Sequence, residues 1–137
     1  MELLRCRTRL SVLWVFMAVG MSAYMFIYFM MPGVIEEMMA GRMEGMELSD
    51  TLMTIYALYW LIPLVMAVLC LTLNGSANRW MNFVLGIIWF LWLIVEVIEH
   101  ATMGGTVYIA TYLGLAAGIV IAAYIVYFAW KLPKGEA

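Results

Sequence analysis

Three ionisable side chains, Glu96, Glu99 and His100, lie at the end of a long apolar run and are the residues of this chain best suited to chemistry. Glu96 and His100 are four residues apart, so a helix places them on one face. A carboxylate and an imidazole in this arrangement can relay a proton, hold a divalent cation or bind a polar headgroup. Two carboxylates and one histidine are too few for a closed metal site. We therefore predict a ligand-binding or proton-binding site without a metal.

The helix that carries Glu96 has one polar and aromatic face. At 100° per residue, an arc of about 100° contains the three ionisable residues and three further side chains, Asn82, Trp89 and Trp92. Ionisable groups at membrane depth usually face a bundle interior, because exposure to lipid costs about 2.5 to 3.5 kcal/mol. Glu96 is therefore expected to point inward. The alternative is a hydrated helix end with no site, since Glu96 lies only about 3 Å inside the outer boundary.

Tyrosines in the outer halves of the predicted helices suggest that a cavity lies beside Glu96. Tyr24, Tyr59 and Tyr112 lie deeper than the interfacial tyrosines, where a phenol needs a hydrogen-bond partner. Glu96, or water near it, can supply that partner. The resulting hypothesis is an outward-opening pocket that is lined by tyrosines and floored by the rings of Trp89 and Trp92.

Methionines of the predicted outer loop bear on a possible metal cofactor. Met38, Met39, Met43 and Met46 loosely resemble the thioether-rich stretches that bind Cu(I). Methionine is also an adaptable apolar filler, and the 14 methionines are scattered through the whole chain. We therefore predict no copper site and no other cofactor.

Four apolar runs must position these residues, and they cover residues 10–31, 51–73, 79–99 and 106–130 approximately. About 20 apolar residues in a helix cross the roughly 30 Å hydrocarbon layer of a membrane. Only 12% of the residues are charged, against about 25% in soluble domains. The sequence predicts an all-α protein, an integral membrane four-helix bundle that forms one domain over residues 1–137.

The segments between the runs contain the residues expected at helix ends. Pro32-Gly33 ends the first run, because proline cannot donate a backbone hydrogen bond and glycine tolerates the turn. Residues 34–40 have the spacing of a short amphipathic helix on the outer interface. Ser49 or Asp50 can cap the second helix, and Asn78 can begin the third.

Basic residues predict the orientation, because lysine and arginine gather in cytoplasmic segments. Arg42 falls on one side of the four-span topology, and the other six basic residues fall on the opposite side: Arg5, Arg7, Arg9, Arg79, Lys131 and Lys134. Both termini are therefore predicted to be cytoplasmic, in a multi-pass protein of the plasma (inner) membrane. The acidic residues concentrate in the outward loop, and nucleic-acid binding has no support.

Small residues recur at every fourth position of the last run, at Ala110, Gly114, Gly118 and Ala122. Such a stripe allows another helix backbone to approach closely. The partner can be a helix of the same chain or of a second copy, and we favour the same chain.

Several segments resemble an uncharacterised family of small bacterial and archaeal four-helix membrane proteins, described only as a domain of unknown function. The resemblance covers nearly the whole chain and is carried by Leu10–Trp14, Pro32-Gly33, Ile62-Pro63, Asn78–Gly86 and Ala129–Pro133. That family is distantly similar in size and topology to DoxX-like proteins, some of which are linked to quinone or thiol redox processes. The resemblance implies a four-helix fold in a prokaryotic membrane and assigns no role to the Glu96 region.

The function is predicted partly from motifs that the sequence lacks. It contains no nucleotide-binding motif, no nucleophile beside a base and no complete metal site, which argues against an enzyme. The leading hypothesis is a membrane subunit that binds a partner, a lipid or another small ligand. Its expected partners are membrane lipids, with a membrane-protein partner or a homo-oligomer as open alternatives. The other hypothesis is a small transporter or redox-associated protein that uses Glu96, Glu99 and His100 to move protons or ions.

Overall fold

Each apolar run forms one long helix in the computed structural model, which describes residues 2–73, 75–102 and 108–132. The elements in chain order are α1 (Glu2–Phe29), α2 (Val34–Met39), β1 (Arg42–Met43), β2 (Met46–Glu47), α3 (Asp50–Thr72), α4 (Gly75–Thr102) and α5 (Ile109–Lys131). The helices α1, α3, α4 and α5 are long and apolar enough to cross a membrane. The predicted all-α four-helix architecture is confirmed, and the chain has the organisation of a multi-pass membrane protein.

The helices extend beyond the apolar runs at some of their ends. Helix α1 begins at Glu2 and α4 begins at Gly75, whereas the runs begin near residues 10 and 79. An apolar run marks only the part of a helix that fits the hydrocarbon layer, and hydrogen-bonded backbone can continue through polar residues beyond it. The predicted start of the last helix at residue 106 lies outside the described residues, as does Pro133.

The four long helices form an antiparallel bundle in which α1 and α5 are the central pair. Helix α1 packs along α3 and α5, and α4 packs along α5. A Cβ atom added at Gly86 of α4 would lie 3.0 Å from side-chain methyls of Ile125 and Val126 on α5, so these helices approach closely there. Helices α3 and α4 meet through large side chains, as where Tyr59 stacks on Trp89.

The small-residue stripe of α5 packs largely within the chain. A Cβ atom added at Gly114 would lie 3.0 Å from the Tyr24 ring on α1, and one added at Gly118 would lie 3.1 Å from Leu93 on α4. Ala122 is fully buried, whereas Ala110 is exposed. Gly114 and Gly118 thus face two different helices of the same chain.

We call the end of the bundle that carries α2 and the strands the loop end, and the opposite end the terminal end. At the loop end, α2 falls within the predicted helix of residues 34–40. The strands β1 and β2 pair antiparallel with Met43 opposite Met46. Their connection, Glu44-Gly45, has φ angles of 53° and 76°, which suits a two-residue hairpin turn of type I′. This hairpin was not predicted from the sequence.

Two hydrogen bonds tie the loop to its surroundings. The backbone N–H of Gly45 donates to Glu37 Oε1 at 2.6 Å, which links the hairpin turn to α2. Ser49 supplies the cap of α3, since its hydroxyl accepts from the backbone N–H of Leu52 at 3.2 Å. Met43 is buried, so the hairpin packs against the bundle rather than extending away from it.

Candidate functional site

A cavity of about 560 Å³ lies in the loop-end half of the bundle. All four long helices contribute to its wall, and Glu44 of the hairpin turn contributes to it at the loop end. Most of the lining is apolar, formed by Phe16, Met17, Gly20, Met21, Met25, Phe26, Phe29, Leu93, Gly114, Leu115, Ala117, Gly118 and Ile121. Gly114 and Gly118 belong to the small-residue stripe, so the stripe forms part of one cavity wall.

Two carboxylates line the cavity, Glu96 from α4 and Glu44 from the hairpin turn. Glu96 is 29% exposed in its side chain, and its Oε2 atom lies 3.9 Å from Nδ1 of His100. Glu44 accepts a hydrogen bond from the Tyr56 hydroxyl at 3.1 Å. The two acidic groups reach the same space from elements that are far apart in the sequence.

Aromatic side chains with polar atoms complete the wall, and they are Tyr24, Tyr56, Tyr59 and Trp60. The indole N–H of Trp60 donates to the Ser22 hydroxyl at 2.9 Å, which joins α3 to α1. The Ser22 hydroxyl in turn donates to the Ala18 carbonyl at 2.9 Å. Tyr59 stacks on Trp89 with ring centroids 5.4 Å apart and planes 7° apart. Its ring orientation is thereby fixed by packing.

The predicted floor of the pocket lies elsewhere, since neither Trp89 nor Trp92 lines the cavity. Trp89 is buried behind Tyr59 and meets Trp14 edge to face at 5.9 Å. Its Nε1 atom has no hydrogen-bond partner among the described residues. Trp92 is 49% exposed and contacts Tyr59 from the side, with ring centroids 6.0 Å apart. Both tryptophans support the position of Tyr59 and do not form the cavity surface.

Three other predicted site residues also lie off the cavity lining. Tyr112 and Glu99 are exposed. His100 is half-buried, and its Nδ1 atom lies 2.8 Å from the backbone oxygen of Glu96 one helical turn earlier. The structure therefore brings together Glu96, Tyr24 and Tyr59 in the cavity, with His100 beside Glu96.

Asn82 belongs to a different site, a buried polar cluster in the terminal-end half. Its Oδ1 atom accepts from Trp14 Nε1 at 2.6 Å and from Cys70 Sγ at 3.1 Å. Its Nδ2 atom donates to the backbone oxygen and to Oδ1 of Asn78, at 2.8 and 2.7 Å. Fourteen residues of helix separate Asn82 from Glu96, or about 21 Å. Asn82 therefore connects helices and does not contact the cavity.

Asn78 also has a role that differs from the predicted one. It lies inside α4, which begins at Gly75, so it does not cap that helix. Its Nδ2 atom instead donates to the backbone oxygens of Cys70 and Leu73 at 2.8 and 3.1 Å. These carbonyls are at the end of α3, where no further helical turn can satisfy them. Asn78 thus joins the end of α3 to the start of α4.

Glu44, Tyr56, Ser22 and Trp60 are the polar residues of the cavity wall that the sequence did not single out as a site. Glu44 is one of several acidic residues in the loop, and only the hairpin turn distinguishes it from them. The Glu-Gly pair between Met43 and Met46 was the sequence feature that could have predicted this hairpin turn, because glycine suits the second position of a type I′ turn. Tyr56, like Tyr24 and Tyr59, lies in the loop-end half of its helix.

The cavity reaches the side surface of the bundle. Phe16 and Phe26 of its lining are 57% and 66% exposed. Gly20 lies between them on α1, and a Cβ atom added there would meet no atom within 4 Å. The open space beside Gly20 faces the surface that an apolar bundle presents to lipid.

A protein-family model, described as a family of unknown function (DUF6326), matches residues 4–136. No curated protein and no solved structure matches the chain.

Proposed function

The chain belongs to this family of unknown function, DUF6326, and we propose that it is a membrane protein that binds an amphiphilic small molecule in the loop-end cavity. The observation that supports this proposal is the cavity itself. Its volume of about 560 Å³ lies within the roughly 300 to 1,000 Å³ of small-molecule sites. Such sites are mostly apolar with a few convergent polar groups, which here are Glu44, Glu96, Tyr24 and Tyr59.

The ligand is proposed to enter from the membrane. The exposed Phe16, Gly20 and Phe26 form the side of the cavity that an amphiphile in the bilayer would meet first. Apolar parts of the molecule would contact methionines and phenylalanines, while its polar part would lie at the loop end beside the carboxylates. Membrane lipids are thus the proposed surroundings of the bundle and one source of the ligand.

Filling the cavity tests this proposal. A Cβ atom at position 20 would meet no other atom within 4 Å, so Gly20→Leu is expected to fold and to block the site. Ala23→Leu, an exposed position of the same helix outside the cavity lining, is the matched control. The measurement is saturable binding of the neutral fluorescent dye Nile red to protein in nanodiscs, with empty nanodiscs subtracted.

Wild type and Ala23→Leu are expected to bind the dye, and Gly20→Leu is expected to lose most of this binding. Mass spectrometry of molecules that co-purify in mild detergent would then identify the natural ligand. Equal binding by all three proteins, or saturable binding by none, would overturn the proposal.

The localisation proposed with this function is the plasma (inner) membrane of a prokaryote, with both termini cytoplasmic. The distribution of lysine and arginine supports the orientation. Helix packing with a membrane-protein partner or a second copy remains a prediction.

Movement of protons or ions is the second candidate function, and the Glu96–His100 pair favours it. The pair combines a cavity carboxylate with an imidazole 3.9 Å away, and ionisable groups at membrane depth often belong to ion pathways. Glu99 is exposed, so the pair rather than all three predicted residues would carry this activity. Proton flux into vesicles that is lost in Glu96→Gln and kept in Glu99→Gln would support transport. Absence of flux in wild type would eliminate it, and with it the redox-associated variant that depends on proton movement.

A further inference from the structure

From the groups that line the cavity we infer that its ligand is a lipophilic cation, such as an amine or a quaternary ammonium compound with bulky apolar substituents. This inference rests on the proposed function, because it names the class of molecule for the same cavity. It goes beyond that function in assigning a charge to the ligand and a binding role to Glu44, a loop residue.

Charge is the first ground for this assignment. Glu44 and Glu96 both line the cavity, so two negative charges face a ligand there. The partly buried Glu96 attracts a cation more strongly than a fully solvated carboxylate does. The one basic residue of the loop end within the described chain, Arg42, stands opposite Glu47 in the hairpin and does not line the cavity. His100 lies beside Glu96 and does not line the cavity.

The hydrogen-bonding state of the aromatic residues is the second ground. The Tyr56 hydroxyl already donates to Glu44, and the Trp60 indole N–H already donates to Ser22. These two donors are engaged, and the Tyr24 hydroxyl is hydrogen-bonded with Thr111, so few donors of the wall are left for an anionic headgroup. Glu44 and Glu96 each already accept one hydrogen bond, from Tyr56 and from Trp92, and their other acceptor positions remain, together with aromatic ring surfaces.

Those ring surfaces are the third ground. Tyr24, Tyr56, Tyr59 and Trp60 all contribute to the same cavity as the carboxylates. The face of an aromatic ring attracts a cation, and rings grouped around an acidic residue are typical of sites for quaternary ammonium ligands. The remaining wall is rich in methionine and phenylalanine, which adapt to bulky apolar substituents.

Comparing two ions of similar shape and opposite charge distinguishes the effect of ligand charge on binding from the effect of its apolar surface. Tetraphenylphosphonium is a lipophilic cation, and tetraphenylborate is an anion of nearly the same shape. We would measure equilibrium binding of each to the full chain in nanodiscs of zwitterionic lipid, with empty nanodiscs subtracted. The cation is expected to bind saturably, and the anion is expected to bind at least about tenfold more weakly.

Substitutions then locate the charge that is responsible. Glu44→Gln and Glu96→Gln keep the side-chain size, and each is expected to weaken binding of the cation by about tenfold. The matched controls are Glu36→Gln and Glu99→Gln, which remove exposed charges outside the cavity lining. These controls should change binding by less than about twofold, since distant exposed charges are screened by salt. Tyr56→Phe keeps the ring and should therefore weaken binding less than Tyr56→Leu does.

The outcomes distinguish this inference from the proposed function. Equal binding of the two ions, or an equal effect of Glu36→Gln and Glu44→Gln, would overturn the cationic assignment. If Nile red still bound to wild type and Gly20→Leu abolished this binding, the proposed cavity function would stand without the cationic assignment. If neither ion nor the dye bound saturably to folded wild type, both would be overturned.

Discussion

At the scale of single residues, the side-chain amide of Asn82 joins three of the long helices. Its amide accepts from Trp14 of α1 and Cys70 of α3 and donates to Asn78 of its own helix. The side chain is fully buried. Because the membrane interior offers no water to replace these partners, a change at Asn82 leaves several polar groups unsatisfied at once.

We expect Asn82→Leu to fold less stably, by about 1 to 3 kcal/mol, because it leaves the Trp14 N–H without its acceptor. The measurement is the free energy of unfolding in mixed micelles with increasing denaturing detergent. Thr72→Val is the control, since the exposed Thr72 hydroxyl donates only to Val68 of its own helix. An Asn82→Leu protein as stable as the control would show that the cluster contributes nothing to stability.

At the scale of elements, Gly86 is one of the glycines that let α4 and α5 approach closely. A Cβ atom at Gly86 would lie 3.0 Å from two methyl groups of α5, whereas a Cβ atom at Gly20 would meet nothing within 4 Å. Both glycines are in the interior of long helices, so their effects on helix propensity are similar. Comparing the same substitution at the two positions therefore isolates helix packing.

We expect Gly86→Val to lower the free energy of unfolding by about 1 to 3 kcal/mol more than Gly20→Val does, because valine at position 86 forces α4 and α5 apart. The measurement is again detergent unfolding, made on both variants and on wild type. Equal changes in the free energy of unfolding for the two variants would mean that α4 and α5 can separate at Gly86 at little cost.

The elements also show how far the sequence predicts this structure. The long apolar runs predict the four helices, because length and hydropathy alone decide whether a segment can cross a membrane. The rotation of each helix about its axis depends on its neighbours. Periodicity placed Trp92 in the pocket and depth in the membrane placed Tyr112 there, yet both are exposed and neither lines the cavity. Glu96 and Tyr59 line it, as expected.

Glu44 shows a different limit of prediction from sequence. It reaches the cavity only because the hairpin turn folds back over the bundle, held by Glu37 and Tyr56. Those contacts join residues that are 8 and 12 positions apart, and neither helical nor strand periodicity carries information about them. A charged loop residue therefore looks like an ordinary solvated residue until the loop has been placed.

At the scale of the whole molecule, the two ends of the bundle differ in charge and in the way they are held together. At the terminal end, basic side chains lie over aromatic rings: Arg79 lies 5.0 Å from the ring centroid of Trp130, and Arg9 lies 5.4 Å from that of Phe128. At the loop end, acidic residues surround the cavity. The orientation of the chain therefore decides which half of the membrane contains the cavity.

Selective labelling of cysteines tests that orientation. Lysine and arginine favour the cytoplasmic side, so we expect the terminal end to be cytoplasmic and the loop end to be outside. In a background with Cys6→Ala and Cys70→Ser, Glu36→Cys on α2 reports on the loop end, and Ser76→Cys at the start of α4 reports on the terminal end. Both positions are exposed, so protein burial does not limit the reaction.

A maleimide that cannot cross membranes is expected to label Glu36→Cys in intact spheroplasts and to label Ser76→Cys only after permeabilisation. The reverse pattern would invert the topology and would place the acidic cavity on the cytoplasmic side. Labelling of both in intact spheroplasts would place both reporters outside and would contradict a single membrane crossing between them. Because α3 alone separates residues 36 and 76, opposite labelling also requires that this helix, with the buried Pro63 inside it, crosses the whole membrane.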